Sequence, residues 1–112
     1  MSDSMNDALN KFVKYIENER MYSDYTISNY QKDVLEFEQW LKKESFGELL
    51  KPLGNSGRYY TAHLNEHYRK PRSVARKLSS LRSFYKYCVR EGMCDRNPFG
   101  DVSSPKLDKT LP

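Results

Sequence analysis

Apolar residues recur at intervals of three and four along several stretches of the chain, the pattern of helices that bury one face. The first stretch runs from Asn6 to Arg20, and the second begins at Ser23, a residue suited to an N-cap, and continues to about Lys43. We therefore predict two amphipathic helices in this half of the chain. Their apolar stripes are Leu9, Phe12, Val13 and Ile16, then Ile27, Tyr30, Val34, Phe37 and Leu41.

The second half of the chain shows the same periodicity twice. A third helix is predicted from Arg58 to Tyr68, because Tyr60 and Leu64 share one face before Pro71 interrupts the pattern. A fourth is predicted from Ser73, which can cap it, toward Gly92, since a helix C-terminus favours a left-handed residue. Its apolar stripe is Val74, Leu78, Leu81, Tyr85 and Cys88.

Two segments lack this periodicity. The stretch 44–57 contains three glycines and a proline, which predicts a loop with at most one helical turn. Residues 94–112 contain three prolines, which predicts a tail or interdomain linker with one short turn around 97–99. We accordingly expect a flexible N-terminus at 1–8, one helical domain at 9–103 and a linker at 104–112.

Composition is consistent with one small globular domain. With 112 residues, 38% hydrophobic and 13% aromatic, the chain is too short for two cores and too aromatic for a disordered protein. No apolar run reaches the length of a membrane span and no secretory signal is recognisable, so we expect a cytoplasmic protein with no membrane partner. Cys88 and Cys94 form no CxxC pair, and His63 and His67 have no evident third ligand. We therefore expect free thiols, no metal site and no cofactor.

Charge divides unevenly between the two halves of the chain. Residues 1–50 carry six Lys or Arg against ten Asp or Glu, a balance of −4, whereas residues 51–112 carry thirteen against five, a balance of +8. This segregation favours a polyanionic partner for the second half.

The fourth predicted helix concentrates the positive charge. From Lys70 to Arg90 there are seven basic residues and no acidic one. Opposite the apolar stripe, cations alternate with hydroxyl side chains, a composition that suits DNA phosphates, with arginines able to reach base edges. This face comprises Arg72, Arg76, Ser79, Ser80, Ser83, Lys86, Tyr87 and Arg90.

Other surfaces carry weaker signals. Lys77 and Arg82 sit beside the apolar stripe, where their charged ends can reach solvent at its edge. On the second helix Thr26, Asn29 and Lys32 lie off the apolar stripe near the N-terminus, where phosphate binding is favoured. The alternative for the fourth helix is a basic surface that has no partner.

Several strings of the sequence resemble one known family. SVARKLSSLRSFYKY (73–87), REG (90–92), NP (97–98) and PKLDKTLP (105–112) are similar to the N-terminal core-binding domain of Xer-type tyrosine recombinases. FVKYIENERMYSDYTISNYQKDVLEFEQWL (12–41) resembles the first two helices of that domain. The resemblance covers the chain from about Leu9 onward, whereas 44–68 departs from the usual spacing and wording of the family.

The resemblance implies an all-α fold, a compact SAM-like bundle of four to five helices of the lambda-integrase N-terminal type, forming one jaw of a DNA clamp. It implies a double-stranded recombination half-site as partner, and neighbouring subunits in a tetramer of two recombinase types that resolves chromosome dimers. The tyrosine nucleophile and its supporting residues would lie in a C-terminal domain outside this chain, so no catalytic residue is assigned here. The implied DNA-facing set is Thr26, Asn29, Lys32, Arg72, Ser73, Arg76, Ser79, Ser80, Ser83 and Lys86, to which the basic pattern adds Arg90.

Three alternatives stay open. An integrase of a phage or transposon would share this clamp domain and differ in its target. A helical protein-interaction module would bind an acidic partner and bind DNA weakly, without sequence preference. A self-contained helical enzyme finds no catalytic constellation and no small-molecule site in the sequence to support it.

Overall fold

The computed structural model describes residues 3–68 and 70–100, with side chains from residue 7 onward. Within this part of the chain the predicted all-α fold is confirmed, with one small hairpin added. None of the described helices is long and apolar enough to cross a membrane. The elements are α1 (Asp3–Asn18), α2 (Asp24–Glu44), β1 (Gly47–Glu48), β2 (Lys51–Pro52), α3 (Ser56–His67) and α4 (Pro71–Arg90).

The first two helices follow the predicted stripes. α1 begins three residues earlier than predicted, and Ala8, which was expected in a flexible N-terminus, is fully buried. The N-cap of α2 is Ser23, as predicted, because its side chain accepts a hydrogen bond of 3.2 Å from the backbone N–H of Thr26. α2 ends at Ser45, where a left-handed φ of 58° turns the chain away.

A β-hairpin replaces the predicted loop after α2. β1 and β2 pair antiparallel, with Gly47 opposite Pro52, and a side chain at Gly47 would approach the Lys51 carbonyl to 2.6 Å. Leu49 at the turn is buried, and its carbonyl accepts a hydrogen bond from the Tyr85 hydroxyl. The hairpin therefore packs on α2 and is bonded to α4 through Tyr85. Strands of two residues are too short to leave an alternating pattern in the sequence, so the hairpin was not predicted. The helical residues at the end of the stretch 44–57 are Ser56 and Gly57, because α3 begins two residues before its predicted start.

α4 begins at Pro71, two residues before the predicted start. A proline suits the first helical position because its φ is already helical and no N–H is needed there. Ser73 is therefore inside the first turn, and its predicted role as N-cap was wrong; the cap position is Lys70, whose side chain makes no capping bond. At the other end the helix stops at Arg90, and Gly92 has the left-handed φ predicted for it, 77°.

The core lies between α2 and α4, which pack against each other while α1 and α3 each contact both. Its centre is aromatic. Phe12 of α1 meets Phe84 edge-on at 5.4 Å between ring centroids, and Phe37 of α2 meets Tyr85 in the same way at 6.0 Å. These contacts join α1 and α2 to α4.

The segment after α4 completes the core. Phe99 is fully buried, with its ring 5.0 Å from Phe37 and 6.1 Å from Tyr85. Asn97 fixes the turn, since its amide donates to the Arg82 carbonyl and its oxygen accepts from the Phe99 N–H. The predicted turn around 97–99 is confirmed, but the expectation of a tail was wrong for 94–100. The predicted linker at 104–112 lies outside the described residues.

Candidate nucleic-acid interface

Most of the predicted basic face of α4 is accessible. Its charged members are exposed, whereas its hydroxyl members range from exposed, as Ser79 is, to buried, as Ser80 is. We call the accessible set the basic face; it consists of Arg72, Ser73, Arg76, Ser79, Ser83, Lys86 and Arg90.

Ser80 does not belong to this face. The side chain is 1% exposed, and its hydroxyl lies 2.8 Å from a carboxylate oxygen of Asp33 and 3.2 Å from the Arg76 carbonyl. Its predicted placement on the exposed side was wrong because α2 covers that flank of α4. The buried arc of α4 is therefore wider than its apolar stripe and includes Lys77 as well as Ser80.

A buried carboxylate joins α2 to α4 beneath the basic face. The Asp33 side chain is fully buried, and it accepts hydrogen bonds from Arg76 at 2.7 Å and from Lys77 at 3.4 Å. Lys77 also donates to Glu36 at 2.7 Å. Burial lowers the pKa of Lys77, but the hydrogen bond with Glu36 and the charge of Asp33 outweigh that effect, so the pKa is raised overall. Lys77 therefore stays charged and serves the packing of the two helices.

The sequence of α4 gave no sign of this network, because α4 itself contains no acidic residue. Asp33 precedes Arg76 by 43 residues, and only the packing of the helices brings them together. Arg76 nevertheless remains 44% exposed in its side chain, so one edge of the guanidinium is bound to Asp33 while the rest faces solvent. An arginine fixed in this way is pre-positioned, because part of its rotamer freedom is already lost.

Two of the three predicted residues of α2, Thr26 and Asn29, share the flank of Asp33 by the helical repeat. Asn29 is one helical turn before Asp33, and Tyr30 beside it interacts with the Ser83 hydroxyl of α4. Lys32 is exposed, whereas Thr26 is half-buried and accepts a hydrogen bond from the Ser23 hydroxyl in the N-cap of α2. The edge of α2 therefore adjoins the basic face, with Thr26 partly occupied by the helix cap.

The last cation of the face is held by aromatic rings. The Arg90 guanidinium lies 4.8 Å from the ring centroid of Tyr15 and 5.4 Å from that of Tyr87, and its Nε is 3.3 Å from a carboxylate oxygen of Glu91. Of the two residues predicted at the edge of the apolar stripe, Lys77 is buried and Arg82 is half-buried, donating to the Phe99 carbonyl. The accessible cations are thus those that the helical repeat placed opposite the core.

The two histidines of α3 lie next to each other, as their spacing predicts. Nδ1 of His67 is 2.9 Å from the His63 carbonyl, and the two rings lie 4.2 Å apart. Within residues 3–68 and 70–100, no three His, Cys, Asp or Glu side chains come together as metal ligands would.

Comparisons with known proteins place this geometry in context. Residues 9–92 match the family model described as phage integrase, N-terminal SAM-like domain. No solved structure matches the chain at a significant level.

Three relatives share more than a third of the aligned residues, and each bears the name Tyrosine recombinase XerC. The protein of Anoxybacillus flavithermus is 37% identical over 98% of this chain and 37% of its own length. The protein of Bacillus subtilis is 36% identical over 90% of this chain and 33% of its own length. The protein of Myxococcus xanthus is 38% identical over 97% of this chain and 36% of its own length. The chain therefore spans about a third of the length of these relatives.

Proposed function

This chain belongs to the family of phage integrase N-terminal SAM-like domains, and we propose that it binds double-stranded DNA as the core-binding domain of a Xer-type tyrosine recombinase. The observation that carries the proposal is the basic face of α4. Its cations and hydroxyls point to solvent on one side of the helix, and the nearest buried carboxylate, Asp33, is turned inward between the helices.

The physical fit is to the phosphates and base edges of a duplex groove. A helix whose exposed side alternates cations with small hydroxyl residues can approach a groove closely and bind phosphate on both strands. Arg72 near the helix start and the fixed Arg76 are the residues that we assign to base edges. Ser79, Ser83 and Lys86, together with Asn29 and Lys32 of α2, are assigned to phosphates.

The relatives support a proposal for the role of the whole protein. They are named tyrosine recombinases, and this chain corresponds to about a third of each. We propose that the complete protein resolves chromosome dimers in the cytoplasm as a tetramer of two recombinase types. Its C-terminal domain would exchange strands through a covalent phosphotyrosyl intermediate, without a metal or other cofactor. An integrase of a phage or transposon is the alternative, and the preferred target sequence distinguishes the two.

The test is a fluorescence-anisotropy titration of this chain with a labelled duplex of the host chromosomal recombination site and a scrambled duplex of equal composition. The salt concentration is varied. Arg72→Ala and Lys86→Ala remove exposed cations of the basic face, and Arg58→Ala on α3 is the matched control. Arg76→Ala is measured as well, with thermal unfolding checked first because Arg76 also contacts Asp33.

We expect tighter binding to the recombination site than to the scrambled duplex, with affinity rising steeply as salt falls. Lys86→Ala should weaken binding to both duplexes and reduce the slope of log affinity against log salt by about one, as expected for a phosphate contact. Arg72→Ala should reduce the affinity for the recombination site more than the affinity for the scrambled duplex. Equal binding by the three Arg or Lys variants and the Arg58→Ala control would refute the assignment of the basic face.

A further inference from the structure

A hollow of about 410 Å³ lies at the C-terminal end of the basic face and overlaps it, between α1, the start of α2 and the C-terminal half of α4. Three cations line it. Two of them belong to the basic face, and the third, Arg20, lies in the connection between α1 and α2. None of the residues that line this hollow is acidic. The cations are Arg20, Lys86 and Arg90.

Phenol rings form most of the remaining wall. Phe12 and Ile16 provide a buried floor, and four tyrosines surround it. We call this site the tyrosine hollow; its rings are Tyr15, Tyr22, Tyr30 and Tyr87.

The rings hold the arginines in place. Arg20 lies 5.4 Å from the ring centroid of Tyr22, and Arg90 lies over Tyr15, whose ring is stacked on Tyr87 at 4.9 Å. Guanidinium planes stacked on aromatic rings are themselves surfaces on which a base can stack. The hollow thus offers flat surfaces and positive charge together.

Two of the cations converge on one neutral atom. The side chains of Arg20 and Arg90 both interact with the Tyr15 hydroxyl, and these interactions lower the pKa of Tyr15. Bringing two guanidinium groups to one phenol oxygen accumulates like charge, which an anion bound there would relieve. Glu91 offsets only part of this charge, because its contact with Arg90 is exposed to solvent.

We propose that the tyrosine hollow binds a single unpaired nucleotide of DNA. The base packs against the phenol or guanidinium planes, and the phosphate is bound by Arg20 and Arg90. A phosphate site alone would not use the rings, whereas aromatic rings interleaved with cations are the usual composition of single-strand binding sites. Ser83, Lys86 and Arg90 belong both to the hollow and to the basic face, so a nucleotide displaced from a bound duplex can reach it. The inference adds a second site to the proposed duplex-binding function and is tested separately from it.

The experiment compares three labelled probes by anisotropy: a fully paired duplex, the same duplex with one bulged nucleotide, and the bulged duplex with an abasic residue at the bulge. A six-nucleotide single strand is the fourth probe, because it requires no duplex contact. Arg20→Ala and Tyr22→Leu alter only the hollow, and Arg58→Ala is the matched control. Thermal unfolding of each variant confirms that it is folded.

We expect the bulged duplex to bind about tenfold more tightly than the paired one, in line with the stacking of one base on an aromatic surface. The abasic bulge, Arg20→Ala and Tyr22→Leu should each abolish that gain, while binding of the paired duplex changes by less than about twofold. Equal affinity for bulged and paired duplexes, or a gain that survives the abasic change or Arg20→Ala, would overturn the proposal. If the paired duplex does not bind but the single strand does, in an Arg20-dependent way, the duplex function fails and the hollow stands.

Discussion

Replacing Asp33 with alanine would remove an acidic side chain that is fully buried between α2 and α4. Three side chains of α4 donate to it: Arg76 at 2.7 Å, Ser80 at 2.8 Å and Lys77 at 3.4 Å. Each of these donors would find a different replacement for the lost carboxylate. Arg76 can be rehydrated since its side chain is 44% exposed, Lys77 keeps Glu36, and Ser80 keeps the Arg76 carbonyl.

These replacements determine how much stability Asp33→Ala would lose. Removing one partner of a buried ion pair typically costs about 3–5 kcal/mol, mostly because a charge is left buried without compensation. Here Lys77 keeps Glu36 and Arg76 can be rehydrated, so we expect Asp33→Ala to lower the free energy of unfolding by about 3 kcal/mol, the low end of that range. Arg76→Ala leaves Asp33 with two donors and removes a partly exposed partner, so it should cost about 1 kcal/mol.

The measurement is urea unfolding, followed by circular dichroism and by the fluorescence of Trp40, the single tryptophan. Glu91→Gln is the matched control because its contact with Arg90 is exposed on both sides, and it should cost no more than about 0.5 kcal/mol. In the Asp33→Ala background, Arg76→Ala should cost almost nothing more, since the contact that it removes is already gone.

Two results would contradict this account. A loss below about 1 kcal/mol for Asp33→Ala would mean that the network contributes no more than an exposed ion pair. Additive losses in the double variant would mean that Arg76 stabilises the fold through some contact other than Asp33.

Three further predictions concern the core. Phe99→Ala should lower the free energy of unfolding by about 3–5 kcal/mol in the same urea assay, whereas a cost near zero would mean that 94–100 is not part of the cooperative unit. Burial raises the pKa of the Cys88 thiol to about 12, so a disulfide reagent at pH 8 should label it at least about a hundredfold more slowly in the folded protein than in urea; equal rates would refute its burial. Burial also raises the pKa values of Tyr60 and Tyr85. These two phenols and the Cys88 thiol are therefore protonated and uncharged in the folded protein over a wider pH range than in the unfolded chain. Their contribution is complete below the unfolded pKa values and is lost as pH rises through the folded ones, so Tm should fall above about pH 9; an unchanged Tm up to pH 11 would contradict it.

The helical stripes were readable in the sequence because they repeat. Tyr60 and Leu64, predicted to face inward from the third helix, are both almost fully buried, and Val74 and Tyr85 of α4 are as well. Ser23 was readable as a cap because it stands directly before an apolar period. Such features depend on neighbours a few residues away.

The features that sequence reasoning missed depend on residues far apart in the chain. Asp33 looks like any polar position of an exposed helix flank until α4 packs over it and brings Ser80 into contact. Phe99 is a lone aromatic residue among turn formers, and a lone residue has no period. A charged residue that falls next to the apolar stripe, as Asp33 does beside Val34, is the one local signal that could have indicated a buried ion pair.

The burial of Phe99 also has a mechanical consequence. The chain reaches Gly100 through a turn that is bonded to the Arg82 carbonyl and anchored in the core by an aromatic ring. The position of the chain at Gly100 is therefore linked to α4 through Asn97, and to α2 and α3 through the contacts of the Phe99 ring with Phe37 and Tyr60. The same ring packs against Tyr85 of α4, so the turn at 97–99 and the helix that carries the basic face share one anchor in the core.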